Sequence, residues 1–203
     1  ISSDKATNPV SLMGASKKIM ENFLMRESES KKITMSRFAN VAFSDGSLLF
    51  GFTQRILKKQ PIAAPNDVKR YFISPQESGE ICLLSGLLGN NRDIFFPKMD
   101  LERDTIKFSE IAKKFLETLG YEYFECESEE HAIRDASHLI SKKKWPCFFS
   151  ESNTTGEKDY EEFYNQDEKV DLSRFLKLGV IESKAKYNST LLDNFYKDLM
   201  HLL

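Results

Sequence analysis

A hydroxyl, a carboxylate and an ammonium group follow one another near the start of the chain, at Ser3, Asp4 and Lys5. The adjacent opposite charges of Asp4 and Lys5 shift each other's affinity for protons when a site excludes water. Such a pair can supply one acid and one base to a single substrate. Taken alone, an Asp-Lys pair before Asn-Pro also suits an ordinary solvent-exposed turn, so the surrounding elements must decide between the two interpretations.

The residues that follow predict a turn leading into a helix. Pro9 ends any preceding strand, and Ser11 is a suitable N-cap for a helix whose apolar residues recur from Met13 onward. Gly14, Ala15 and Ser16 are small residues that leave room for another molecule to approach the backbone at the start of this helix. Lys17 comes one helical turn after Met13, so both side chains project from about the same face.

This segment resembles the active-site segment of extended short-chain dehydrogenases/reductases, and more closely that of the UDP-N-acetylglucosamine 4,6-dehydratases. That family carries Ser or Thr, then Asp-Lys, then Asn-Pro, and then a Tyr-x-x-x-Lys helix start. The matching residues here are Ser3, Asp4, Lys5, Asn8, Pro9 and Lys17. Met13 stands where the general family has tyrosine, which resembles a subgroup of bacterial sugar-nucleotide dehydratases that has methionine there.

The resemblance implies a reaction in which C4 of a hexose passes a hydride to a nicotinamide, water leaves across C5 and C6, and the hydride returns to C6. Asp4 would be the acid at the C6 hydroxyl, and Lys5 would be the base at C5. Ser3 would hydrogen-bond the C4 oxygen, and Lys17 would hold the nicotinamide ribose. Because the thioether at Met13 cannot accept the C4 hydroxyl proton, Lys17, a bound water or a neighbouring group must accept it.

Four later segments extend the resemblance in the family's order. They are Arg37–Val41, Asp45–Ser47, Lys69–Phe72 and Ile94–Lys98. The resemblance implies that Arg37 binds on the cofactor side and that Asn40, Ser47, Arg70 and Lys98 bind the substrate, with Arg70 on the diphosphate. Ordinary alternatives stay open, since Asn40 could end a strand, Ser47 could cap a helix and Arg70 could form a surface ion pair.

The resemblance also implies bound NADP or NAD. A dinucleotide-binding fold holds the pyrophosphate on a glycine-rich turn between a strand and a helix. No Gly-x-Gly-x-x-Gly sequence occurs in the 203 residues. We therefore expect the N-terminal half of the nucleotide-binding sheet to lie outside this chain.

The alternation of strand and helix patterns predicts an α/β fold. Predicted helices cover residues 13–27, 48–59, 75–88, 109–119, 129–140 and 188–203, and predicted strands or extended segments cover 33–41, 61–65, 70–74, 93–97, 105–108, 121–127 and 145–149. The resemblance makes this the C-terminal part of a Rossmann-like fold with a smaller substrate-binding domain. The expected division is 1–45 for the end of the dinucleotide-binding domain, 46–150 for a mostly substrate-binding region with some elements returning to the sheet, and 151–203 for a polar loop and a final helix.

The composition argues against several other classes of protein. The net charge is −2, which favours neither nucleic acid nor an anionic membrane as a partner. No apolar run approaches the roughly 18 residues of a membrane span. Cys82, Cys126 and Cys147 lie far apart, as do the histidines, so we expect no metal site and a cytoplasmic location.

The resemblance implies that the intact protein dehydrates UDP-N-acetylglucosamine to a UDP-4-keto-6-deoxy-N-acetylhexosamine and forms a homo-oligomer. Two alternatives stay open. One is a nucleotide-sugar epimerase of the same fold, although simple epimerases lack the Asp4-Lys5 pair. The other is a non-catalytic, substrate-side piece without the cofactor-binding half. The last helix is predicted to dock on this chain's own core, with contact to another copy as the alternative.

Overall fold

The computed structural model describes residues 1–100, 102–152 and 161–202. The described residues form two compact units. Residues 1–39, 76–99 and 161–202 make the first unit, and residues 40–75, 100 and 102–152 make the second. The predicted loop from Ser150 to Lys169 lies partly outside the described residues.

The elements follow one another in a mixed α/β order. The helices are α1 (Leu12–Glu27), α2 (Leu48–Leu57), α3 (Pro75–Leu88), α4 (Phe108–Thr118), α5 (Glu129–Ser141) and α6 (Ser189–Leu202). The strands are β1 (Ser2–Ser3), β2 (Met35–Phe38), β3 (Asn40–Val41), β4 (Ile62–Pro65), β5 (Lys69–Ile73), β6 (Asp93–Pro97), β7 (Thr105–Lys107), β8 (Glu122–Glu125), β9 (Lys144–Ser150), β10 (Val170–Asp171) and β11 (Leu178–Glu182). The predicted α/β class is confirmed.

Within its described residues, the first unit is built on one sheet with the strand order β1-β2-β6-β11-β10. β1, β2 and β6 run parallel, whereas β11 pairs antiparallel with β6. Every residue of β2 and β6 is buried, as expected for parallel strands covered on both faces. The sequence analysis did not predict β10 and β11. Gly179 on β11 accommodates a close contact, since a Cβ there would lie 2.2 Å from a ring atom of Phe96.

The final helix of the first unit packs on α1. The rings of Phe23 and Phe195 lie 6.4 Å apart, and Arg26 forms a 2.7 Å ion pair with Asp193. Leu192 is buried, whereas Leu191 is mostly exposed. The helix therefore docks on this chain, as predicted, but buries only part of its apolar surface there.

In its described part, the second unit holds two small sheets, ordered β3-β5-β7 and β4-β9-β8. Its core packs α2 and α4 against the parallel strands β4 and β9, with Phe52, Ile62, Leu116 and Trp145 at the centre. The indole of Trp145 donates to the carbonyl of Gln60 at 3.0 Å, which satisfies its polar N–H.

The single strand predicted over residues 33–41 is divided in the structure. β2 pairs with β6 in the first unit, and β3 pairs with β5 in the second. Ala39 lies between them, so the chain passes from one unit to the other inside a continuous apolar–polar alternation. Alternation reports which face is buried but not which sheet supplies the partner strand, so the sequence alone did not reveal the break.

Candidate active site

The Ser3-Asp4-Lys5 segment forms a single 3-10 turn directly after β1. Ser3 is the N-cap of this turn, and its Oγ accepts a hydrogen bond from the backbone N–H of Lys5 at 3.0 Å. The backbone N–H of Thr7 closes the turn on the carbonyl of Asp4 at 3.1 Å. Because short polar side chains at an N-cap satisfy the free N–H groups of the first turn, the sequence fixes this local geometry.

Two donors of this turn meet at one carboxylate oxygen of Asp4. Nζ of Lys5 lies 3.5 Å from Oδ1 of Asp4, and Oγ of Ser3 donates to the same oxygen at 3.2 Å. The Asp4 side chain is 8% exposed, whereas that of Lys5 is 46% exposed. The turn therefore buries the acid and leaves the amine open to a ligand.

The start of α1 rests on this turn. Ser11 caps the helix as predicted, since its Oγ accepts from the N–H of Gly14 at 3.2 Å. A Cβ on Gly14 would lie 2.6 Å from the carbonyl oxygen of Lys5, so only glycine permits this approach. The sequence led us to expect another molecule near Gly14, but the space at Gly14 is taken by the carbonyl of Lys5 in the same chain.

Met13 and Lys17 occupy the first turns of α1, as the spacing predicts. Met13 is 61% exposed, and Lys17 is partly buried. Among the described residues, no carboxylate pairs with Lys17, so its ammonium can donate to hydroxyl groups of a ligand. Contact of Lys17 with the ribose of a nicotinamide stays a prediction, and these 203 residues contain no Gly-x-Gly-x-x-Gly turn for the pyrophosphate.

Arg37 is saturated by protein acceptors. Its five N–H donors meet the carboxylates of Glu21 and Glu168 and the carbonyl of Phe163, at 2.8 to 3.0 Å, and its side chain is 1% exposed. These contacts do not support the predicted binding of a cofactor by the Arg37 side chain, because no donor is left for one. The geometry gives Arg37 a structural role.

The buried pair of Glu21 and Arg37 stays charged. Burial alone would raise the pKa of Glu21, but the hydrogen bonds and charge of Arg37, with smaller contributions from Ser2 and Lys18, hold that pKa below its usual value. Burial alone would lower the pKa of Arg37. The hydrogen bonds and charges of Glu21 and Glu168 outweigh this effect and raise that pKa above its usual value. A buried pair of this kind persists because each charge is paired and hydrogen-bonded.

The ammonium group of Lys98 also binds acceptors of the protein itself. Its Nζ donates to the carbonyls of Leu172, Phe175 and Leu176, at 2.5, 2.6 and 3.2 Å. An ammonium group has three N–H donors, so these bonds use all of them. This arrangement does not support the predicted contact between Lys98 and the substrate, and it assigns Lys98 to holding the segment before β11.

The remaining predicted substrate residues lie in the second unit. Nδ2 of Asn40 donates to the carbonyl of Tyr71 at 3.0 Å, and Oγ of Ser47 caps α2 by accepting from the N–H of Phe50 at 3.3 Å. Nη1 of Arg70 donates to the carbonyl of Lys69 at 2.8 Å. The structure shows the helix-cap role that the sequence left open for Ser47, whereas Asn40 begins β3 instead of ending a strand. Contact of these residues with substrate stays a prediction.

Sequence reasoning missed the polar groups that form hydrogen bonds next to the Ser3–Lys5 turn. Ser2, Glu21 and Glu168 are joined through Arg37, and none was a candidate. One signal was available for Glu21. It lies four residues after Lys17 and four residues before the apolar Met25, on a face of α1 where a carboxylate is unexpected unless it has a buried partner.

In the described part of the chain, no group of His, Cys, Asp or Glu is arranged to hold a metal ion. No helix in the described ranges combines the length and the apolar character that crossing a membrane requires.

The fold and the turn-plus-helix geometry define an α/β protein with a charged Asp-Lys turn at the end of a strand. Residues 1–182 match the sequence model of the family described as polysaccharide biosynthesis protein. The chain therefore belongs to the polysaccharide biosynthesis protein family.

Two curated relatives agree with this assignment. The chain is 30% identical over 171 residues to the probable polysaccharide biosynthesis protein EpsC of Bacillus subtilis, covering 83% of this chain and 25% of the relative. It is 30% identical over 146 residues to the capsular polysaccharide biosynthesis protein CapD of Staphylococcus aureus, covering 70% of this chain and 24% of the relative. The chain thus spans about a quarter of the length of these relatives.

The fold is similar to that of Pen from Bacillus thuringiensis. The TM-score is 0.60 at 18% identity, over 97% of this chain and 60% of the solved chain. At this level of identity the likeness concerns the fold alone.

Proposed function

We propose that the intact protein containing this chain is an NAD(P)-dependent UDP-N-acetylglucosamine 4,6-dehydratase. The observation that carries the proposal is the pair of Asp4 and Lys5, an acid and an amine 3.5 Å apart on one turn beside Ser3. Membership in a polysaccharide biosynthesis family supports a sugar nucleotide as the substrate class. The Asp-Lys pair favours elimination of water over simple epimerisation, because elimination needs an acid and a base together.

The ion pair can reach the protonation states that elimination requires. Transfer of one proton from Nζ of Lys5 to Oδ1 of Asp4 gives a neutral amine and a carboxylic acid. The amine then removes the C5 proton, and the acid protonates the departing C6 hydroxyl, which leaves as water. After both steps Lys5 is an ammonium and Asp4 a carboxylate, so the ion pair seen in the structure is restored.

The protons balance over the whole reaction. The proton that leaves with water is matched by the proton lost from the C4 hydroxyl, and a proton returns to C5 when the product forms. A bound nicotinamide would supply the hydride acceptor at C4 and the hydride donor at C6. The C5 proton becomes removable only once C4 is a ketone, because the resulting carbanion is stabilised by the carbonyl.

The neighbouring residues would orient the sugar. The hydroxyl of Ser3 would bind the C4 oxygen, and the ammonium of Lys17 would hold the nicotinamide ribose and stabilise negative charge near that oxygen. Met13 would contribute only apolar contact. Asn40, Ser47 and Arg70 would bind the substrate, with the guanidinium of Arg70 suited to its diphosphate.

The test uses the intact protein loaded with its cofactor. Asp4→Asn and Lys5→Ala should each abolish formation of the 4-keto sugar while binding of UDP-sugar, measured by calorimetry, persists. Lys197→Ala and Asp198→Asn are matched controls, because these residues form an adjacent Lys-Asp pair on the exposed surface of α6. Full activity in both turn variants would overturn the proposal. A C4 epimer formed without loss of water would identify an epimerase instead.

A further inference from the structure

A chain of buried hydrogen bonds connects the reactive turn to α1. Oγ of Ser2 donates to Oε1 of Glu21 at 2.6 Å, and Glu21 accepts two more bonds from Arg37, each 2.8 Å long. Ser2, Glu21 and Arg37 are all almost completely buried. Ser2 and Arg37 are also paired across β1 and β2, so both side chains reach the same carboxylate.

The C-terminal segment completes this chain of bonds from the other side. Glu168 accepts from Nη2 of Arg37 at 2.8 Å and from Nη1 at 3.0 Å. The carbonyl of Phe163 accepts from Nη1 at 2.8 Å. Two carboxylates and one carbonyl therefore hold Arg37 in a single orientation, and Arg37 in turn fixes both oxygens of Glu21.

α1 thus holds the reactive turn at two points. Gly14 lies on the carbonyl of Lys5, and Glu21 binds Ser2, the residue before Ser3. Lys17 lies between these two points on the same helix. A helix fixed at both positions also fixes Lys17 relative to Asp4 and Lys5, which general acid–base chemistry requires to within a fraction of an ångström.

We propose that Glu21 is a positioning residue that holds the Ser3–Lys5 turn through Ser2, in an orientation set by Arg37 and Glu168. The inference rests on the proposed function, since it assigns the turn its catalytic work. A purely structural role for Glu21 would stabilise the fold without affecting the turn in particular. Ser2→Ala separates the two roles, because it removes only the bond to the turn and leaves the Glu21–Arg37–Glu168 pairs in place.

The experiment compares Ser2→Ala and Glu21→Gln with the wild type of the intact protein. Hydrogen–deuterium exchange of the peptide covering residues 3–8 should become at least tenfold faster in both variants. In the same variants kcat for the 4-keto sugar should fall at least tenfold, with KM for UDP-N-acetylglucosamine within twofold. Glu27→Gln is the matched control, since Glu27 is exposed on the same helix, and it should change neither readout.

The two readouts keep this inference distinct from the proposed function. Hydrogen–deuterium exchange at the turn does not require turnover. It therefore tests the hydrogen bond between Glu21 and Ser2 even if the wild type forms no 4-keto sugar. A wild type that forms no 4-keto sugar would contradict only the proposed function. Unchanged exchange in Ser2→Ala would overturn the inference. Faster exchange with unchanged kcat, in a protein that forms the product, would overturn it as well.

Discussion

Gly14 and Lys5 are in contact through the backbone, and this contact packs the start of α1 against the Ser3–Lys5 turn. A Cβ at Gly14 would stand 2.6 Å from the Lys5 carbonyl oxygen and 3.0 Å from Cβ of Pro9. Distances this short are not tolerated between these atoms, so any larger residue must displace either the helix or the turn. The small residue at the helix start is therefore needed for packing inside the chain.

We expect Gly14→Ala to lower the free energy of unfolding by about 1–3 kcal/mol, because overpacking against backbone cannot be relieved by a side-chain rotation. Formation of the 4-keto sugar should fall at least tenfold, since the turn moves. Chemical denaturation and product assays measure the two effects. The control is Gly79→Ala on α3, where an added Cβ meets no described atom within 4 Å and should stabilise the helix by about 0.5 kcal/mol. Equal behaviour of the two variants would contradict the prediction.

Arg37→Lys should destabilise the first unit strongly. A lysine has three donors and cannot replace the five bonds of the guanidinium, so Glu21 or Glu168 is left underpaired in a buried position. The expected loss in the free energy of unfolding is roughly 3 kcal/mol. Arg103→Lys, at an exposed ion pair with Asp100, serves as the control and should give no measurable change. A stable Arg37→Lys protein with weaker cofactor binding would instead favour the contact that the family resemblance implied.

Lys98→Met tests whether this lysine holds the protein or the substrate. The variant keeps the aliphatic stem but removes the charged donor to the carbonyls of Leu172, Phe175 and Leu176. Because Leu172 and Leu176 are exposed and water can replace the donor there, we expect the free energy of unfolding to fall by only about 1 kcal/mol. Hydrogen–deuterium exchange over residues 172–176 should accelerate, while the affinity for UDP-sugar stays within twofold. Lys177→Met, at an exposed neighbour, is the control. A variant with normal stability but without affinity for UDP-sugar would show that Lys98 binds the substrate.

The charge of Glu21 makes stability depend on pH in a defined direction. The pKa of Glu21 in the folded protein lies below the ordinary value of 4.5, so its contribution to stability is complete above about pH 4.5 and is lost as the pH falls through the folded-state pKa. We expect the stability difference between wild type and Glu21→Gln to shrink as the pH is lowered from about 7 to about 3, since a protonated Glu resembles Gln. Urea denaturation at each pH measures it, with Glu27→Gln as control. A constant difference would show that the charge of Glu21 does not contribute.

The sequence by itself determined what depends on near neighbours along the chain. Residue type and spacing predicted the turn at Asp4 and Lys5 and the Ser11 cap of α1, which depend on short-range hydrogen bonds. The Ser3 cap is equally local, although the sequence analysis did not predict it. The alternation of helix and strand patterns likewise gave the α/β class, because apolar periodicity records which faces are buried.

Only the tertiary structure decided the roles of the cations. Arg37 meets Glu168 across 131 residues of sequence, and Lys98 meets Phe175 across 77. Local pattern carries no information about partners at such separations, so both residues were assigned to ligands on the family resemblance. Tertiary folding decided their roles, because it brings the donors of the buried Arg37 and of the partly buried Lys98 within hydrogen-bond distance of Glu21 and of acceptors in residues 163–176.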